Sequence, residues 1–64
     1  MKDEIIEKII ANSGEVTKDD DHFLEAVFPD NKFNKAVHVF FEVTEGFKLK
    51  AVLSGGNKLA VYLQ

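Results

Sequence analysis

The chain has 64 residues, no cysteine, eight lysines and no arginine against eleven carboxylates, and a formal net charge of −3. These values leave room for one domain, residues 1–64, exclude disulfides and thiolate metal sites, and argue against a general polyanion binder. A chain this short buries only about 60% of the surface it exposes when unfolded, so six phenylalanines and a set of Val, Ile and Leu must supply the core, or a second chain must complete it.

No apolar run reaches the roughly 18 residues a membrane span needs, and "MKDEIIEKII" carries acidic residues where a secretory signal carries positive charge. A cytoplasmic protein with no membrane partner is the expectation. Charge is unevenly spread: residues 1–30 hold three lysines against nine carboxylates, residues 31–64 five lysines against Glu42 and Glu45.

Residues 3–12 predict a short amphipathic helix. Ile5, Ile6, Ile9 and Ile10 share one helical face, Asp3 is placed to cap, Glu4 and Lys8 form an i,i+4 pair, and Gly14 suits the residue just past the end. Residues 17–28 repeat the design with Phe23, Leu24, Val27 and Phe28; Thr17 and Asp20 approximate a capping box, and Pro29 stops the helix. The rival reading is a strand from His22 to Phe28 with Leu24, Ala26 and Phe28 inward. "PDNKFN" reads as a turn or loop.

Residues 36–44, "AVHVFFEVT", satisfy two periods. As a strand they put Val37, Val39, Phe41 and Val43 on one face; as a helix they put Phe33, Ala36, Val37, Phe40, Phe41 and Val43 on one arc with only Val39 misplaced. The β-branched and aromatic content favours the strand. So does the turn: with "TEG" as a three-residue loop and Gly46 left-handed, Val43 faces Phe47, Phe41 faces Leu49, Val39 faces Ala51 and Val37 faces Leu53. On the reverse face Glu42 would meet Lys48, and Phe40 would meet Lys50. "SGGN" then turns the chain into residues 58–63, keeping Leu59, Val61 and Leu63 inward, with Gly56 or Asn57 left-handed. The predicted fold class is α+β: two short N-terminal helices packed on a three-stranded antiparallel β-meander whose middle strand is residues 47–53.

The helical alternative for residues 32–43 gives a different order: helix, short extended segment, helix, helix, strand, wing, strand. With "SGEVTKDD" before the second helix, "TEGFKLK" entering the first wing strand and "GGNKLAVYL" forming the second, that order resembles winged helix-turn-helix domains. The resemblance implies DNA binding through Asn31, Asn34, Lys35 and His38 on the third helix, with Lys58 by the wing.

Few residues suggest chemistry. His22 and Glu25 beside Asp19, Asp20 and Asp21 have the elements of a metal site, but the aspartates lack a calcium loop's alternation and glycine, and one histidine is a poor zinc set. A solvated, acidic first turn accounts for them. His38 and Glu42 have no serine or cysteine nucleophile beside them, and "SGGN" lacks the spacing of a phosphate loop. No metal, cofactor or catalytic residue is assigned.

The expected function is therefore a small non-catalytic binding or inhibitory protein acting through protein–protein contacts. Its partner-binding surface is placed on the outward sheet face at Phe40, Lys48, Lys50 and Tyr62, where aromatic residues and lysines interleave; the same mixture can stack single-stranded nucleic acid. "LAVYL" is expected to end the sheet as an open edge, with Leu59, Val61 and Leu63 pairing to a second copy in a homodimer.

Overall fold

A computed structural model of the chain describes residues 1–29 and 32–63. It alternates one helix with one hairpin, twice: α1 (Lys2–Ala11), β1 (Glu15–Asp20), β2 (Phe23–Val27), α2 (Phe33–Phe41), β3 (Lys50–Ser54) and β4 (Lys58–Tyr62), with a π-helical turn (Glu42–Gly46) prolonging α2. The strands form one antiparallel sheet in the order β1-β2-β4-β3. Both helices pack on the same face of it, through one core. Among the described residues no helix is long and apolar enough to cross a membrane.

The α+β class and the antiparallel sheet agree with the sequence reading; the arrangement does not. Residues 17–28 are the β1–β2 hairpin rather than a second helix, turning at Asp21 and His22, and Leu24, Ala26 and Phe28 are the inward set. Residues 33–41 are a helix rather than the first strand of a meander. The pairs predicted across "TEG" therefore do not form, and Gly46 ends the π-helical turn instead of sitting in the left-handed region. Residues 47–53 do not hold the middle of the sheet: β3 lies at its edge and β4 inside. With two α-helices among the described residues, and a four-stranded sheet in place of a three-helix core and wing, the winged helix-turn-helix likeness is also overturned.

α1 shows why local signals succeeded where they did. Ile5 and Ile9 are fully buried, while Ile10 stays exposed. Asp3 adds charge to the first turn, but Met1 holds the cap position. At the other end the Gly14 N–H donates to the Ile9 carbonyl at 2.8 Å and the Ser13 N–H to that of Ile10 at 3.0 Å, a Schellman termination in which Ser13, with φ 71°, takes the left-handed position glycine usually fills. Glycine is required one residue later for space. A Cβ on Gly14 would stand 2.7 Å from Ile9 Cγ2 and 2.7 Å from Phe28 Cε2.

The hairpin predicted at "SGGN" forms with its three-residue loop. Ser54 pairs with Lys58 and Leu53 with Leu59, while Gly55 and Gly56, at φ 63° and 77°, supply the left-handed residues. The Phe28 N–H donates to the Asn57 carbonyl at 2.8 Å, tying this turn to the end of β2.

The two helix–hairpin halves are related by an approximate two-fold axis through the β2–β4 pair. The sequence shift that carries Glu15 onto Lys50 also carries Phe23 onto Lys58, the starts of equivalent strands. In the helices Ile5 and Ile9 correspond to Val39 and Val43, all fully buried. The second half has one residue more between its last buried helical side chain and its hairpin, and the π-helical turn absorbs it, the Phe47 N–H donating to the Glu42 carbonyl five residues back.

Two glycine substitutions separate space from backbone conformation. Gly14→Ala forces a methyl group into the Ile9–Phe28 contact and is expected to lower unfolding free energy by about 1–3 kcal/mol in urea titration. Gly46→Ala enters open space in a helical turn and is expected to raise it by up to about 1 kcal/mol; equal effects at the two positions would contradict the packing described.

Candidate functional site on the open sheet face

Alternation along the strands divides the sheet into a covered and an uncovered face. Leu24, Ala26, Leu59 and Val61 point to the helices and are fully buried. Their neighbours point away and, by the strand registers, form rows across the sheet. One row is Asp20, Phe23, Tyr62 and Lys50; the next is Lys18, Glu25, Ala60 and Val52; the last is Glu15, Val27, Lys58 and Ser54.

The first row carries an aromatic pair. The Phe23 and Tyr62 rings sit with centroids 5.3 Å apart at 53°, within the range in which tilted rings attract beyond their buried area. Tyr62 is 43% exposed and Val52, in the next row, 47%, so these two rows leave apolar surface in solvent. At its β3 end Lys48, Leu49, Lys50 and Tyr62 line an open depression of about 320 Å³. Lys48 reaches it from a left-handed backbone, φ 60°.

In the second row Glu25 stands between two lysines, 3.3 Å from Lys58 Nζ and 3.9 Å from Lys18 Nζ. Its side chain is only 13% accessible. The centre of the face thus carries two lysines against one carboxylate, and Asp20 and Glu15 add negative charge at the β1 side.

The structure therefore brings together Lys48, Lys50 and Tyr62 of the predicted surface but not Phe40. That ring lies on α2, half-buried against the core on the opposite side of the sheet, with Phe41 edge-on to it at 5.6 Å. Phe23 takes the place assigned to it. The sequence signal for Phe23 was the rival strand reading, which puts odd-numbered residues of 23–27 outward. The proposed edge at Leu59, Val61 and Leu63 is not an edge: β4 is hydrogen-bonded on both sides, Leu59 and Val61 are fully buried, and Leu63 is half-buried with its N–H donating to the His22 carbonyl.

The residues that the winged-helix resemblance grouped together are separated. Asn34, Lys35 and His38 are exposed on α2, Lys58 is on the uncovered face beyond the sheet, and Asn31 falls outside the described residues. Asp19 and Glu25 likewise diverge, Asp19 to the helix side, where it meets Lys2 Nζ at 2.8 Å, and Glu25 to the open side. Among the described residues no three His, Asp or Glu side chains converge as a metal-binding group.

Two ion pairs dock the helices. Lys2 Nζ bridges α1 to β1, and hydrogen bonding to Asp19 raises the Lys2 pKa above its ordinary value. Lys8 Nζ, 3.0 Å from Glu42, joins α1 to the π-helical turn. The Lys8 hydrogen bond, aided by the nearby charges of Lys8 and His38, lowers the Glu42 pKa; His38 Nε2 lies 3.6 Å from the same carboxylate. A depressed carboxylate pKa stabilises the fold above the unfolded-state pKa, and that contribution is lost as pH falls through the folded value. Wild type should therefore lose stability relative to Glu42→Gln as pH drops through and below the ordinary carboxylate range. Parallel melting curves of the two proteins across that interval would remove the Lys8–Glu42 pair as a contributor.

No family model, no curated protein and no solved structure matches this chain.

Proposed function

We propose that the chain is a non-catalytic protein-binding module, inhibitory where its contact covers a partner's working surface, and that it binds through the uncovered face of the sheet. The observation carrying this reading is the Phe23–Tyr62 ring pair on a face that neither helix covers, flanked by Val52 and Ala60 and bordered by Lys48 and Lys50. Aromatic side chains are enriched in protein interfaces because they bury large area with few rotatable bonds. Polar residues around them supply the rim.

The charge pattern favours a protein over single-stranded nucleic acid. A backbone-tracking groove needs a line of unneutralised cations, whereas Glu25 engages Lys18 and Lys58 in the middle of this face and Asp20 stands beside Phe23. Lys48 and Lys50 are the remaining lysines there, and they suit an acidic or carbonyl-rich rim on the partner.

The test is retention of a partner from the source cells by immobilised wild type, Phe23→Ala/Tyr62→Ala and Ile10→Ala, followed by measurement of affinity with the purified partner. Loss of the two face aromatics is expected to weaken binding by about 2 kcal/mol or more, roughly thirtyfold. Ile10→Ala, exposed on α1 on the helix side, should leave it unchanged. A partner held equally by all three proteins, or a nucleic acid whose binding falls steeply with salt, would overturn the reading.

A further inference from the structure

The two edges of the sheet are built differently. β1 has a register shift between Val16 and Lys18, a charge-rich sequence, and Asp19 directed to the helix side. Bulges, charges and inward-pointing ionisable groups are the devices that keep an edge strand from pairing with another chain. β3 has none of these. It is regular from Lys50 to Ser54, has no proline, and carries one charge, at its first residue.

α2 adds an apolar flank on the same side. Glu42 faces α1 through Lys8, so the flank made by Phe33, Val37 and Phe41, at i, i+4 and i+8, faces away from α1, toward the β3 side of the sheet. Phe33 and Phe41 are 51% and 53% exposed, and Phe33 lies against Gly56 in the β3–β4 turn. The buried stripe of the helix is Ala36, Val39 and Val43; in this second apolar row Val37 is only half-buried and the two phenylalanines stay exposed.

We propose that the chain forms a two-fold dimer by antiparallel pairing of β3 with β3 of a second copy. β3 is self-complementary in the register centred on Val52. The Ser54 carbonyl accepts from the Asn57 N–H and so turns toward β4; by alternation Val52 and Lys50 do the same, leaving the N–H and C=O of Ala51 and Leu53 directed outward. Centred on Val52, Ala51 exchanges both bonds with Leu53 of the partner subunit, and Lys50 faces Ser54 of the partner subunit, so no like charges oppose. The axis then passes between the two Val52 side chains, a non-hydrogen-bonded pair, and sets the two Phe33–Phe41 flanks against each other. The product is an eight-stranded sheet with four helices on one face. This pairing is independent of what binds the open face, but it would present two copies of that face as one continuous surface.

The absence of cysteine provides a direct test on the full chain. Residues in a non-hydrogen-bonded antiparallel pair have Cα atoms about 4.5 Å apart, within disulfide range. Under mild oxidation Val52→Cys is expected to form a covalent dimer at least tenfold faster than Glu15→Cys on the β1 edge. In sedimentation velocity the wild type should reach twice its 7.2 kDa mass in the micromolar range. Val52→Lys and Phe41→Glu should each weaken the dimer at least tenfold, with far-ultraviolet circular dichroism confirming that each remains folded. Equal oxidation rates for the two cysteine variants, or a wild-type monomer throughout the high micromolar range, would overturn the dimer. In the second case the bare edge is left for strand addition to a different protein.

Discussion

Phe28 is the constraint on which the rest of the structure rests. It is the largest fully buried side chain, and it stands where the end of β2, the end of α1 and the β3–β4 turn meet. Its ring lies in the space left by the missing side chain of Gly14 and touches the side of the chain where Ile9 enters the core. Its backbone N–H, just past the last residue of β2, is satisfied by the Asn57 carbonyl. One residue thus fixes the angle at which α1 leaves the sheet and the level at which the second hairpin joins the first. In a chain with so little interior, a contact that positions three elements at once replaces the larger core a longer domain would use.

From that corner the architecture follows by near-repetition. Two helix–hairpin halves meet at β2 and β4, and to one shared interior the first contributes Ile5 and Ile9 of its helix and two residues of its inner strand, the second Ala36, Val39 and Val43 and two residues of its inner strand. Neither half could bury its own hairpin, since an isolated two-stranded hairpin is at best marginal in water. Joined, they form a sheet with one face covered. The helices are used up on that face, and the aromatic and lysine residues of the other face remain at the surface by construction.

The near-repetition is imperfect where it bears on contacts with other molecules. β1 is bulged and acidic while β3 is regular and almost uncharged, although the two strands occupy equivalent positions. α1 leaves Ile10 exposed, whereas α2 leaves two phenylalanines. Stability of the monomer requires neither difference. Both concentrate exposed apolar surface and an unbulged strand at one edge of the sheet, where the proposed second copy would meet them together.

Residues 3–12 and 50–62 were legible in the sequence by itself, and the reason is physical: four isoleucines at helical spacing fit no strand, and two consecutive glycines between alternating apolar runs close a hairpin from local geometry alone. Residues 17–28 and 33–43 were not, because each satisfies both periods. Phe23, Leu24, Val27 and Phe28 have the spacing of a helical face, yet Phe23 and Val27 turned outward once β2 paired with β4. Residues 33–41 contain the β-branched and aromatic residues of a strand, yet they fold as a helix: β2 and β4 hold the two central positions of the sheet, β1 and β3 its edges, and the core needs a second cover. Of the candidate site, Lys50 and Tyr62 could be placed from the second hairpin alone, whereas Lys48 precedes β3 on a left-handed backbone that strand alternation does not describe. Phe23 and the β3 edge depended on which strands became neighbours, and that was decided by long-range pairing, to which no local pattern in the chain has access.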